Sequence, residues 1–192
     1  MSARGPYAKG IAKRAEILDT ALRIIARNGY SGATVKELAE AVGLSQPGLL
    51  HYFGTKEALF TEVIRRRDEV DSVDPQEIGP EIGVIGAVER NAAEPGLVQL
   101  FISFAAAATE SAHPSHEFFG QRYAFLRDFA AKGVREAQRS GEIAPDLDPD
   151  QLAIMIFALI DGLQMQWLYD PESIDMTAVL RTFFSIVSGR ND

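Results

Sequence analysis

The sequence predicts an all-α fold in two parts, a module of short helices over residues 1–68 and a larger helical domain over residues 69–192. Three observations carry that prediction. Apolar residues recur at the three- and four-residue spacing of a helix face, and no alternating run reads as a strand. Glycine or proline punctuates the ends of these runs, at Gly29, Gly43, Pro114, Gly141, Pro145, Pro149 and Pro171. Charge is divided along the chain: residues 1–67 hold 11 Lys and Arg against 6 Asp and Glu, a net of +5, and residues 68–192 hold 8 against 21, a net of −13, summing to −8. A basic module followed by an acidic body implies divided labour, with an anion-binding surface in the first third.

Helix 1 is expected from about Lys9 to Asn28, because Leu18, Ala21, Leu22 and Ile25 share one face and Gly29 follows as a stop. Thr34-Val35-Lys36-Glu37 reads as a capping box that opens helix 2. Val35, Leu38, Ala39 and Val42 form its apolar face, and Gly43 supplies the left-handed position that ends it after about eight residues. Ser45 caps a third helix with Pro47 in its first turn, and Leu49 and Phe53 are expected to point inward. Gly54-Thr55 precedes helix 4, from about Lys56. Short helix, glycine turn, short helix is the helix-turn-helix pattern, whose second helix lies in the DNA major groove. A plain three-helix bundle shares the same bare pattern.

Beyond Ile64 come Arg65-Arg66-Arg67, read as a solvated helix surface paired with nearby acids, and a Pro-, Gly- and Asp-rich stretch from Asp71 to Gly83. Helices follow at about 94–111, 115–140, 149–169 and 176–188, with a weaker one around 82–91. The run 152–168 is apolar almost all round, which requires burial on more than one side.

Composition narrows the class. The 46% hydrophobic content and 192 residues suffice for a sizeable core, and zero cysteines exclude a disulfide framework, Cys-ligated zinc and thiol catalysis. A basic N-terminus without an apolar h-region, and an uninterrupted apolar run no longer than Leu152 to Ile160, give a cytoplasmic expectation. The chain has no phosphate-loop, G-x-S-x-G or His-Glu-x-x-His motif, so it offers an enzyme no catalytic constellation, and no cofactor is expected. His113 and His116 have a zinc-compatible spacing but read as solvated residues of an interhelical turn, and no metal is expected.

The stretch 34–59, TVKELAEAVGLSQPGLLHYFGTKEAL, resembles the N-terminal segment of the TetR family of bacterial transcriptional regulators, and the match extends from Ile17 to Ile64. It includes Gly29-Tyr30, the Gly-Leu-Ser turn at 43–45, Tyr52-Phe53 and Lys56-Glu57-Ala58-Leu59. The resemblance implies a helix-turn-helix DNA-binding domain over 1–68 and a helical ligand-binding and dimerisation domain over 69–192. It places Thr34, Lys36, Ser45, Tyr52 and Lys56 near phosphates, and Gln46, Pro47, Gly48 and His51 on the base-reading side of the recognition helix. Leu38, Leu49 and Phe53 match the module's core. Members of the family often carry Lys-Gly where this chain has Gln46-Pro47, and an aromatic residue at Leu50; no Arg or Lys occurs from Ser45 to Phe53. Reading therefore rests on few direct contacts and on groove shape. Arg4, Lys9, Lys13 and Arg14 form either a groove-tracking arm or a solvated tail.

For the acidic domain the resemblance implies a homodimer through the last two helices, with Leu152, Met155, Ile156, Leu159, Leu163, Leu180, Phe183, Phe184 and Val187 at the interface. It also implies a small-molecule pocket, for which Phe101, Phe104, Glu110, Phe118, Phe119, Tyr123, Gln164 and Trp167 are candidates; the same residues also suit a packed core. The expected function is a repressor that binds a palindromic operator as a homodimer and is released by a small-molecule inducer. The alternative is a helical ligand-binding or scaffolding dimer without specific DNA binding, which the absence of recognition-helix cations keeps open.

Overall fold

The computed structural model describes residues 6–71 and 80–188, and contains helices and turns with no strand among them. The helices are α1 (Pro6–Gly32), α2 (Val35–Ala41), α3 (Gln46–Leu50), α4 (Lys56–Asp71), α5 (Pro80–Ala93), α6 (Pro95–Ala107), α7 (His116–Arg139), α8 (Pro149–Tyr169) and α9 (Met176–Val187). The chain folds as two compact units, residues 6–71 with 94–116, and residues 80–93 with 117–188. The segment containing α6 thus packs with the N-terminal helices, although it lies well beyond residue 68 in sequence.

In the first unit α1 is long because its apolar face is long: Ile17, Leu18, Ala21 and Ile25 are all buried. Its regular path breaks at Gly29, at φ 73°, as expected from the sequence. α1 packs against α2, α4 and α6. Leu38 of α2, Leu49 of α3, and Leu59, Phe60 and Val63 of α4 complete the buried set with Val98 and Leu100 of α6. α6 comes close enough to α1 that a Cβ on Gly96 would clash with the Ile25 carbonyl oxygen, so only glycine fits that crossing. Tyr30, Phe60 and Phe104 meet edge-on or tilted, with centroids 5.3–5.7 Å apart. Beneath them the Thr61 and Ser115 hydroxyls share a buried 2.6 Å hydrogen bond.

The second unit is built from α5, α7, α8 and α9. Val134, Ala137, Ile143, Leu152, Ile156, Phe184 and Val187 form one cluster, and Ile85, Val88, Leu163, Met176 and Leu180 another. α8 is long and apolar enough, by length and composition, to cross a membrane. Its buried Leu152, Ala153, Ile156 and Leu163 instead pack into this core. Aspartates cap both final helices: Asp148 accepts from the amides of Asp150 and Gln151, and Asp175 from that of Ala178.

Candidate nucleic-acid interface

The helix-turn-helix geometry follows from caps and one turn. Thr34 Oγ1 accepts from the Glu37 amide at 3.1 Å and starts α2. Gly43, at φ 68°, reverses the chain without the strain a side chain would suffer there. Ser45 Oγ then accepts from the Gly48 amide at 3.1 Å and starts α3, with Pro47 in its first turn. Leu49 is fully buried and anchors α3, so the opposite face, Ser45, Gln46, Pro47 and His51, is exposed. Gly48 is partly covered. This face is small and carries no cation.

The basic groups flank it. Lys36 is exposed on α2, with Glu40 at 3.9 Å as a loose partner. Lys56 opens α4, where its Nζ stands 5.6 and 6.0 Å from the ring centroids of Phe60 and Tyr30. Among the described residues it has no carboxylate within ion-pair distance, so its charge is held in place by aromatic faces and left open to an anion. Burial, and then the charge of Glu57, push the Tyr30 hydroxyl above its ordinary pKa, which keeps that ring neutral beneath the lysine. Tyr52 is half-buried, its ring edge-on to His51 at 6.3 Å.

Several expectations need correction. α3 closes at Leu50, and Phe53 falls in the following turn, half-buried beneath the Arg14 guanidinium at 4.9 Å. Arg14 also pairs with Glu62 at 3.1 Å, and Lys13 Nζ donates to the Val42 carbonyl at 2.8 Å. These two cations tie α1 to α4 and to the end of α2. Lys9 is exposed, and Arg4 lies outside the described residues. Arg65 and Arg66 pair with Glu62, Asp19 and Glu69, as a solvated, ion-paired surface should.

The candidate pocket residues divide between the units. Phe101 and Phe104 are buried in the first, and Glu110 is exposed in the turn after α6. Phe118, Phe119, Tyr123, Gln164 and Trp167 belong to the second; Phe119 and Gln164 are buried there, and Trp167 packs beside Leu163 and Met176. Tyr123 donates to Asp161 Oδ2 at 2.6 Å, a partner the sequence reading missed because an aspartate within an apolar helix gives no local motif. His113 Nδ1 accepts from the Ser115 amide and His116 Nδ1 contacts the Ala108 carbonyl, so both rings serve the turn.

Most of the expected interface residues are covered within the protomer. Leu152, Ile156, Leu163, Leu180, Phe184 and Val187 are buried within their own chain, and Leu159 and Phe183 are partly so; of the nine, Met155 is exposed. A helix apolar all round gives no sequence sign of which face the chain itself covers. The apolar surface left on α8 is Ile154, Met155, Met165 and Tyr169, joined by Val179 and Ile186 on α9.

Comparison with known proteins agrees with this architecture. Residues 17–63 match the model of the bacterial regulatory proteins of the tetR family, and residues 84–187 that of the BetI-type transcriptional repressor C-terminal region. The HTH-type transcriptional repressor Rv1474c of Mycobacterium tuberculosis is 26% identical over 171 residues, covering 88% of this chain and 89% of that one. A putative transcriptional regulator from Saccharomonospora viridis, solved in complex with choline, superposes with a TM-score of 0.68 at 25% identity over 93% of this chain and 96% of its own. The regulator FadR from Bacillus subtilis, solved with stearoyl-CoA, has a TM-score of 0.62 at 22% identity over 91% of this chain and 98% of its own, and shares the fold.

Proposed function

Because the chain belongs to the TetR family and is a DNA-binding transcriptional regulator, we propose that it works in the cytoplasm as a homodimeric repressor on a palindromic operator, released by a small-molecule inducer. The observation that carries the reading is α3: a helix anchored by buried Leu49, capped by Ser45, and presenting exposed Gln46, Pro47 and His51. Gln46 is the residue of that face suited to a bidentate contact with adenine, and Pro47 to a thymine methyl. Thr34, Lys36, Ser45, Tyr52 and Lys56 hold phosphates on either side and fix the register, while Gly48 lets the helix come close. The functional division at residues 68 and 69 then separates the DNA reader from the ligand-binding and dimerising body.

Two recognition helices are needed to read two half-sites, and the surface for pairing is the apolar strip on α8 and α9. Ala158 and Gly162 lie along that exposed side of α8, and a Cβ at Gly162 would meet nothing of its own chain within 4 Å. Small residues flanked by Ile154, Met155 and Met165 allow a partner helix to approach closely. Two solved neighbours hold ligands of unlike chemistry, choline and stearoyl-CoA, which supports a small-molecule inducer without naming it. Release requires that the inducer favour one conformation of the body over the other.

The test uses substitutions with distinct signatures. Gln46→Ala with His51→Ala should change the base preference selected from mixed duplexes, whereas Lys36→Ala and Tyr52→Phe should weaken binding to every duplex alike. An unchanged preference in the α3 variant would remove α3 as the reading element.

A further inference from the structure

We propose that the face of α8 turned toward α7 is a recognition site for a protonated primary or secondary amine, held by Asp161 with Gln164 and positioned by Tyr123. The inference rests on the reading of the chain as a ligand-responsive regulator and deepens it by naming the chemistry of the effector.

The site is a polar interruption in an apolar seam. Ala153 packs with Ala130 and Ala131 of α7, and Phe157 covers them. Asp161 and Gln164 follow one and two turns further along the same strip of α8, since residues three and four apart share a helix face. The 2.6 Å bond from the Tyr123 hydroxyl to Asp161 Oδ2 shows that the strip still faces α7 there. Burial raises the Asp161 carboxyl above its ordinary pKa, opposed by the Tyr123 bond and by the charge of Arg122. A carboxylate in such a place costs stability and gives the packing nothing that an apolar side chain would not.

Its hydrogen-bonding capacity is also unfilled. Tyr123 uses one acceptor position of Asp161, and a carboxylate offers about four. Gln164 is only 4% exposed, and its side-chain amide has no hydrogen-bond partner among the described residues. Among those residues, however, no fully buried side-chain polar atom lacks a partner. The unpartnered oxygen of Asp161 and the amide of Gln164 therefore keep a small accessible surface.

What the site offers selects what it takes. An anionic oxygen lies one turn from an amide carbonyl, and the Tyr123 hydroxyl is already committed to the aspartate. The complement is a group that carries positive charge and several N–H donors, which a primary or secondary ammonium does. A quaternary ammonium has the charge without the donors, an alcohol the donor without the charge, and a carboxylate is repelled. Trp167, one turn beyond Gln164, is the only tryptophan in the chain and reports on the site.

The experiment follows Trp167 emission of the full chain at neutral pH during titration with 2-phenylethylamine, its N,N,N-trimethyl derivative, 2-phenylethanol and phenylacetate. The amine should give a saturating change, the trimethyl compound and the alcohol should bind roughly tenfold or more weakly, and phenylacetate should not bind. Asp161→Asn keeps the side chain's shape and should lose roughly tenfold or more of the amine affinity, with circular dichroism unchanged. Gln164→Leu gives a second variant with the same direction of effect, for use should the first not fold. No saturation by the amine, equal binding of all four compounds, or wild-type affinity in both variants would overturn the proposal. Fluorescence anisotropy of a bound duplex separates the two readings. Amine binding that leaves duplex affinity unchanged keeps the site and contradicts amine-driven release; release by another chemical class, without an amine response, contradicts the site and keeps the regulator.

Discussion

Gly96 of α6 lies directly against the Ile25 carbonyl of α1, with the Gly29 Cα also within 2.9 Å of where a Cβ on Gly96 would stand. The obstructing atoms are backbone, which cannot swing aside as a side chain does. This crossing binds α6 to the DNA-reading helices. Gly96→Ala should therefore destabilise the first unit by about 1–3 kcal/mol, the range for overpacking, despite the better helix propensity of alanine. Urea denaturation followed by Tyr and far-ultraviolet signals measures it; a stabilised variant would mean that the helices do not cross this closely.

Lys56 sits over two aromatic rings with its charge unpaired by any described carboxylate. Lys56→Ala should weaken binding to all duplexes and lower the slope of log affinity against log salt by about one unit. An altered base preference at constant slope would show that its role is reading and not phosphate contact.

Asp161 titrates above its ordinary range in the folded chain, chiefly because it is buried. When pH lies below both the unfolded and folded values the group is neutral in both states. As pH rises from about 3.9 through the folded value, the unfolded chain loses the proton first, so stability falls and the loss persists above both values. The melting temperature of Asp161→Asn should therefore gain on that of the native chain across this acidic window. A difference independent of pH would contradict the burial of the carboxylate.

On α8, Gly162 has open space where a side chain would project. Gly162→Leu should leave the protomer folded, with helix propensity improved by somewhat less than the ~0.8–1 kcal/mol that separates glycine from alanine, while obstructing a partner helix. Sedimentation equilibrium should show dimer affinity reduced roughly thirtyfold or more, equivalent to about 2 kcal/mol. A dimer as tight as that of the native chain would place the interface elsewhere.

Much of this was legible from residues because its causes are local. Thr34, Ser45, Gly43 and Pro47 act through caps and turns within four positions, and the Thr34 hydroxyl caps as expected. The capping box does not close, because the Glu37 carboxylate accepts from Asn28 and the Thr34 amide donates to the Gly32 carbonyl instead. Phe53 was misplaced because α3 ends three residues early, after which Arg14 covers the ring from a distant helix. The covered side of α8 was illegible for a related reason: Leu152 and Ile156 cannot be told from Ile154 and Met155 until the packing of α9 and α7 decides which side is covered. The pairing of Tyr123 with Asp161, 38 positions apart, is likewise invisible before the helices are laid side by side.

The central claim is that this chain reads DNA as a symmetric pair of recognition helices. Selection of bound duplexes from a random pool, repeated at increasing salt, tests it most directly. The account predicts an enriched palindrome whose half-sites are about 34–36 Å apart centre to centre, with one dimer bound per pair of half-sites. Sequence-independent binding, or none at any salt concentration, would contradict it.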